Sequence, residues 1–339
     1  MGAASIGQVA KHAGVSVGTV SNVLNRPELV APETRERVLR SIETLDFVRN
    51  ESARALRAGQ SRTIGLVVLD VANPFFTDVA RGVETVADEN NMVVTLCNSA
   101  EDTLREDRHL QHLQEQRVRG VLITPVVETS PRLDPIVARG IPVVLVDRGS
   151  GQPNRCSVAV DDKLGGRLAA SHLVEQGHRR LAYVGGPMSI RQVSDRHEGA
   201  LAAIETARGR PQLRVVEQPS LSIEGGRAAG EELAALTERR RPTAVFCAND
   251  LLALGLLQEL IRQGLRVPRD VAIVGYDDIV YAGGAAIPLS SVRQPRDQLG
   301  RAAAELLIEE INSGGSHRHR QVVFEPELIV RDSSMTTSD

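Results

Sequence analysis

The chain has 339 residues, 42% hydrophobic and 24% charged, with a net charge of −3, the make-up of an ordinary folded protein with room for two or three domains. No apolar run approaches the ~18 residues that a spanning helix needs, which excludes a helical membrane span. The N-terminus lacks the charged start and apolar core of a signal peptide, and Cys97, Cys156 and Cys247 lie far apart in separate apolar runs, so buried thiols are expected rather than disulfides or a metal site, in a cytoplasmic protein. The charge is uneven: residues 1–62 carry nine Lys/Arg against six Asp/Glu, whereas the rest carries 31 against 37. A basic head on an acidic body fits a polyanion-binding module joined to something that does not bind polyanions.

Ser5 to Asn25 predicts two short helices joined by a tight turn. Ser5 and Gln8 suit a capping box, Val9, Ala10 and Ala13 follow at helical spacing, and Gly14 supplies the turn. Ser16 caps the second helix, whose Val20, Val23 and Leu24 point inward. Val17, Gly18, Ser21, Asn22 and Asn25 are left on or near the outer face, small or amide-bearing. Taken alone, the pattern favours an ordinary helical hairpin over a reader of a DNA groove. Pro32 to Leu45 predicts a third helix with an apolar stripe of Val38, Leu39, Ile42 and Leu45, and three such helices bury only a thin core. Asn50 to Ala58 reads as an isolated helical segment, too short to be stable alone, whose Leu56 has no core partner in the sequence.

From Ile64 the texture becomes apolar strands alternating with amphipathic helices, the mark of parallel α/β sheets. Strands are expected at 64–70, 92–97, 120–125, 142–147, 156–161, 180–186, 213–217, 243–249 and 271–277. A helix over 297–312 and one strand over 321–330 complete two α/β lobes.

Ligands of open α/β sheets bind beyond the carboxyl ends of the strands. Here those ends carry Asn73 with Phe75 and Phe76, Asp147-Arg148, Asn249-Asp250 and Asp277-Asp278, and the loop after 180–186 leads to Arg191 and Arg196. Converging donors and acceptors suit a compact polyhydroxylated ligand, since each unsatisfied hydroxyl costs about 1–3 kcal/mol. Helix capping is the competing reading for any one of these residues, Asn249 and Asp250 above all. The aromatic side chains Phe75, Phe76, Phe246, Tyr276 and Tyr281 all fall in or beside these loops. Catalytic motifs (GxxxxGK[ST], HExxH, GxSxG) are absent. His317-Arg318-His319 reads as a solvated turn, with no Cys or acid cluster near it in the sequence.

Several blocks together give the chain a family likeness. VAKHAGVSVGTVSNVLN, PETRERV, NESARALRAGQSRTIGLVV, DVANPFF, PVVLVDR, GHRRLAYVGGP, FCANDLLALG, VPRDVAIVGYDDI and LSSVRQP occur in an order that resembles the lactose-repressor/galactose-repressor family of bacterial transcription regulators over residues 5 to 332. The resemblance implies a small all-α helix-turn-helix headpiece (1–48), a hinge helix and linker (49–62), and an α/β core like the periplasmic sugar-binding proteins. That core has two parallel-sheet lobes, 63–161 with 291–321 and 162–290 with 322–332, followed by a disordered tail at 333–339. It further implies a homodimer on pseudopalindromic double-stranded operator DNA, most often a repressor, controlled by a small sugar-like effector, with no cofactor and no catalysis. A transport-type sugar-binding protein and an α/β sugar-metabolising enzyme are the alternatives.

Carried over by position, Val17, Gly18 and Asn22 would face base edges, Asn22 bonding an adenine through its amide. Ser16, Thr19, Ser21 and Asn25 would hold phosphates, and Ala53 and Leu56 would contact DNA from the hinge, Leu56 as a minor-groove wedge. The effector positions match Asn73, Phe75, Asp147, Arg148, Arg196, Asn249, Asp277 and Gln294. The chain departs from the family pattern at Ala31, where many members have a capping Ser or Thr, and at Gly18, which has no side chain to read a base. The segment Asp332–Asp339 has no leucine heptad, so a tetramer built on a C-terminal helix is not expected.

Overall fold

The computed structural model describes residues 4–47, 61–127, 132–149 and 154–335. The chain divides into two units, residues 1–61 and residues 62–339.

In the first unit, α1 (Ile6–Ala13) starts at Ser5, whose Oγ accepts from the Gln8 backbone N–H while Gln8 Oε1 accepts from the Ser5 N–H at 2.7 Å, a complete capping box. Gly14 closes the helix at φ 64°, left-handed backbone that a side chain would strain. α2 (Val17–Asn25) follows, with Ser16 Oγ accepting from the Thr19 N–H. α3 (Pro32–Thr44) begins on Pro32 without a side-chain cap, because Ala31 has no acceptor to offer. Val9, Ala10, Ala13, Val20, Val23 and Val38 form the core, each fully buried valine contributing about 1.5–3 kcal/mol. Leu39, expected in the α3 stripe, is instead 49% exposed. One residue further on turns a helix by about 100°, so Leu39 cannot share the face of Val38. Ser41 takes the inward place, its hydroxyl paired with His12 Nδ1 at 3.0 Å.

The second unit holds twelve strands among the described residues. They are β1 (Thr63–Val68), β2 (Val93–Asn98), β3 (Gly120–Ile123), β4 (Val143–Val146), β5 (Ser157–Val160) and β6 (Arg180–Gly185), then β7 (Gln212–Glu217), β8 (Ala244–Cys247), β9 (Ala272–Asp277), β10 (Ser290–Arg293), β11 (Gln321–Phe324) and β12 (Glu327–Ile329). Between them lie α4 (Pro74–Glu89), α5 (Thr103–Glu115), α6 (Asp134–Ala138), α7 (Asp162–Glu175), α8 (Arg191–Thr206), α9 (Ile223–Ala234), α10 (Asp250–Arg262), α11 (Val280–Gly284) and α12 (Arg296–Asn312). The strands make two six-stranded sheets, ordered β11-β5-β4-β3-β1-β2 and β12-β10-β9-β8-β6-β7. All neighbours run parallel except β12, which is antiparallel to β10. Central strands such as β3, β4 and β8 are buried throughout, as strands covered by helices on both faces must be.

Three helix pairs cover the sheets at very short range: α7 with α8, α9 with α10 and α4 with α12. Each contact is made by facing glycines. A Cβ on Gly166 would collide with the Arg196 carbonyl and one on Gly199 with that of Lys163, and Gly226 with Gly255 and Gly82 with Gly300 repeat the arrangement. The first pair sets the depth at which α8 carries Arg196. None of the described helices is long and apolar enough to cross a membrane.

The chain passes between lobes three times: at Asp161, at Gln294–Pro295 and at Glu325–Pro326. The last two crossings fall a few residues beyond the expected 291 and 322. β10 completes the second sheet before the chain leaves it, and the strand expected over 321–330 is two strands, one in each sheet. Pro326 lacks the N–H that a continuous ladder would need. The tail expected from 333 does not begin there. Ser333 and Ser334 are buried: Ser333 Oγ accepts from the Ser290 N–H at 2.8 Å and donates to the Ile273 carbonyl at 2.7 Å, and Ser334 Oγ pairs with His172 Nε2.

Candidate functional site

Residues from both lobes meet beyond the carboxyl ends of the strands. Asn73, after β1, caps α4 by accepting from the Phe75 N–H, and its Nδ2 donates to Asp277 Oδ2 across the cleft at 3.0 Å. Asp147, after β4, accepts from Gln192 Nε2 at 2.9 Å, and the same amide donates to the Asp147 carbonyl. Arg196 Nε donates to Asp162 Oδ1 at 2.7 Å and its Nη1 to the Ala248 carbonyl, while Asp277 Oδ1 stands 3.9 Å away. The guanidinium lies 3.7 Å above the Tyr276 ring, a cation–π contact in a buried setting. Asp147 (φ 53°) and Asp277 (φ 101°) both hold left-handed backbone that a non-glycine residue rarely adopts. Such conformations cost about 1–3 kcal/mol each and persist where the surroundings over-determine them.

The space between the walls is about 40 Å3, bounded among others by Asn73, Phe75, Phe76, Asp147, Gln192, Arg196, Asn249 and Asp277. That is room for a few waters. Across this narrow cleft, polar groups of the two walls serve as one another's partners. Three acceptors remain over: Asp147 Oδ1, Gln192 Oε1 and Gln294 Oε1 are buried without a hydrogen-bond partner among the described residues.

Of the sequence-expected effector residues, the structure brings Asn73, Phe75, Asp147, Arg196, Asn249 and Asp277 to the cleft wall. Asn249 both caps α10 through Oδ1 and donates to the Leu221 carbonyl through Nδ2, so the capping reading and the cleft reading hold together. Gln294 stands behind the wall, its Nε2 donating to Asp277 Oδ1 at 2.7 Å. Arg148 points away from it, and its Nη2 donates to the Pro125 carbonyl. Of the aromatic side chains only Phe75 and Phe76 line the space. Phe246 and Tyr276 are core, and Tyr281 is 59% exposed on α11. Asp250 is buried, accepting from Ser291 Oγ and the Ile279 N–H, and Arg191 is exposed and paired with Asp195. Gln192 and Asp162 are absent from the sequence reading. Gln192 was accessible to it, lying four residues before Arg196 on one helix face.

Several acids share this interior with Arg196. Burial pushes the Asp147 carboxyl up to about 7, helped by the Asp162 charge and opposed by Arg196. Burial likewise raises Asp162 and Asp277, again against Arg196. A folded carboxyl that holds its proton more tightly than the unfolded chain lends stability that is present in acid and lost as pH rises through about 7. On going from pH 8 to pH 6 the melting point of the protein should gain a few degrees more than that of Asp147→Asn. The comparison with the variant matters because burial depresses His172 and His178, which titrate with the opposite sign. Parallel melting curves for the two proteins from pH 6 to 8 would remove Asp147 as the titrating group.

On the headpiece, α2 exposes Val17, Gly18, Asn22 and Asn25, with Thr19 and Ser21 half-buried and Ser16 exposed at the cap. Asn25 Nδ2 donates to the Ser21 carbonyl at 2.8 Å and to its hydroxyl, and Thr19 Oγ1 pairs with Ser16 Oγ. Asn22 projects a side-chain amide with no hydrogen bond among the described residues. Ala53 and Leu56, with the whole hinge helix, lie outside the described residues.

Comparisons with known proteins agree on both parts. Residues 5–50 match the model of the bacterial regulatory proteins of the lacI family, and residues 170–334 match that of the periplasmic binding protein-like domain. The HTH-type transcriptional repressor PurR of Haemophilus influenzae (strain PittEE) is 35% identical over 335 residues, covering 97% of this chain and 98% of its own. The lac repressor dimer bound to operator and the anti-inducer ONPF superposes with TM-score 0.83 at 26% identity, covering 99% of this chain and 100% of that one. A LacI family transcriptional regulator of Enterococcus faecium with bound ribose superposes with TM-score 0.74 at 29% identity, covering 81% of this chain and 100% of its own. With a capped helical hairpin at one end and a two-lobe polar cleft in the remainder, the chain belongs to the LacI family of bacterial transcription regulators.

Proposed function

We propose that the chain is a cytoplasmic, sequence-specific transcriptional repressor, not an enzyme, that binds a pseudopalindromic operator as a homodimer and is controlled by a small polyhydroxylated effector. The observation that carries the effector reading is the cleft itself: Asn73, Asp147, Gln192, Arg196, Asn249 and Asp277 converge from two lobes, with Asp147 Oδ1 and Gln192 Oε1 left without donors. Sugar hydroxyls supply donors and acceptors together, and Phe75 and Phe76 offer an apolar face to a ring's C–H groups. The ribose-bound relative supports a pentose as the first ligand to try.

Control follows from the contacts that join the two walls. An effector must break Asn73–Asp277 and Gln192–Asp147 and replace them with its own contacts, so it favours whichever lobe separation satisfies both walls. The coupling of that separation to DNA affinity is the allosteric free energy. Val17, Gly18 and Asn22 would read base edges, and Ser16, Thr19, Ser21 and Asn25 would position phosphates. On the same reading Ala53 and Leu56 contact the operator centre, and Gln294 supports the effector from behind the cleft wall through Asp277.

The test is an anisotropy titration of labelled upstream DNA at physiological salt, with and without ribose and hexoses. A palindromic site should bind at least about 1,000-fold more tightly than random DNA, and one sugar should shift that affinity. Equal affinity for the two DNAs would overturn the repressor reading. A specific operator that no sugar affects would leave the headpiece reading standing and refute the effector class.

A further inference from the structure

The two histidines at 317 and 319 are not in a solvated turn. β5 and β11 run parallel with Ser157 beside Gln321, which sets Cys156 level with Arg320, whose N–H donates to Cys156 Sγ at 3.3 Å. Gly314 (φ 60°) and Gly315 (φ 93°) turn the chain back after α12, so the approach to β11 runs past the last turns of that helix. Extended backbone sends alternate side chains to one side, and His317 and His319 both face Cys156. His317 Nε2 lies 3.1 Å and His319 Nδ1 3.9 Å from its sulfur. Glu310, near the end of α12, brings Oε2 to 3.8 Å from His319 Nδ1.

We propose that Cys156, Glu310, His317 and His319 form a binding site for one zinc-class divalent transition-metal ion, at the end of the first lobe opposite the ligand cleft. One donor atom from each residue lies within 4.8 Å of all the others. In a tetrahedral zinc site, with Zn–S near 2.3 Å and Zn–N near 2.0 Å, donors of these kinds stand about 3.3–3.5 Å apart. Small side-chain shifts therefore complete the shell. The sulfur is fully buried and His317 is 4% exposed, and Glu310 Oε2 is buried with no hydrogen-bond partner among the described residues. A carboxylate oxygen in that position lacks a donor, and a cation supplies what it lacks.

The donor set also selects the ion. Thiolate and two imidazoles exclude magnesium and calcium, which take oxygen ligands. One thiolate and one carboxylate neutralise a divalent charge, the thiol proton passing to solvent on binding. The second nitrogen of His317 faces Glu309 Oε1 at 3.8 Å, the outer carboxylate that orients many metal-bound histidines. Bound metal would fasten the end of α12 to the starts of β5 and β11.

The experiment uses the full-length chain without an affinity tag, stripped with a chelator and titrated with Co2+ and then Zn2+. Wild type should take up one Co2+ per chain with tetrahedral d–d bands and a thiolate-to-metal charge-transfer band, and Zn2+ should displace it. Cys156→Ser should lose the charge-transfer band. His319→Asn, at a half-exposed position that tolerates change, should bind at least about 100-fold more weakly, since losing even an outer partner costs about 10–100-fold. Circular dichroism and the melting point of each metal-free variant confirm folding. Wild type that binds no stoichiometric Co2+, or binds it with the spectrum and affinity of the variants, overturns the site.

Discussion

Arg196→Ala is expected to destabilise the ligand-free core by about 3–5 kcal/mol, the usual loss when one partner of a buried ion pair is removed. Arg196 is the positive charge at the centre of a group formed by Asp162, Asp277 and Asp147, and it contacts the first at 2.7 Å. Its removal takes from those buried carboxyls the cation that faces all three, and it strips the Tyr276 ring of its cation. Urea denaturation should show the midpoint moving with little change in slope. The double variant Arg196→Ala/Asp162→Asn should recover much of the loss, because the neutral amide has no charge to strand. A loss below about 1 kcal/mol, or no recovery in the double variant, would show that the acids are already neutral without Arg196. An effector assay on Arg196→Ala must be read beside this cost, since a weakened cleft and a missing contact would look alike.

The second large effect concerns DNA. Asn22→Ala should weaken operator binding by about 10- to 100-fold, the worth of one bidentate amide–adenine contact at roughly 1–3 kcal/mol. Binding to random DNA should hardly change. The dependence of affinity on salt should also stay the same, because no phosphate contact is lost. Asn25→Ala makes the contrast: its amide is already engaged with Ser21, so its effect on the operator should be several-fold smaller. Equal losses for Asn22→Ala on operator and random DNA would take Asn22 away from the bases and place it on the backbone.

What could be read from the sequence was what neighbours in the chain decide. Ser5 and Gln8 form their capping box over three residues, Gly14 turns where a turn is needed, and Asn73, Asp147, Asn249 and Asp277, at the ends of β1, β4, β8 and β9, line a cleft. Failures came where distant segments decide. Asp147 and Arg148 are adjacent, but only Asp147 lines the cleft, while the Arg148 guanidinium is held by the Pro125 carbonyl, 23 residues away in the chain. Pro326 broke an apolar run that otherwise read as one strand, and only the sheet order reveals that the halves belong to different lobes. Cys156 and His317 are separated by 161 residues. Nothing local announces that β5 and β11 pair, and the histidines could not be understood without that pairing.

The facing glycines also bear on mechanics. Where two helices meet backbone to backbone at these glycines, the crossing point has no side chain to re-pack, which resists sliding of one helix along the other. Any opening must then be taken up in the three short straps at Asp161, Gln294–Pro295 and Glu325–Pro326, and in two of these a proline ring has already fixed one torsion. Few free torsions leave few routes. A ligand a few ångströms across that changes the contacts between the walls would then act through those three straps alone.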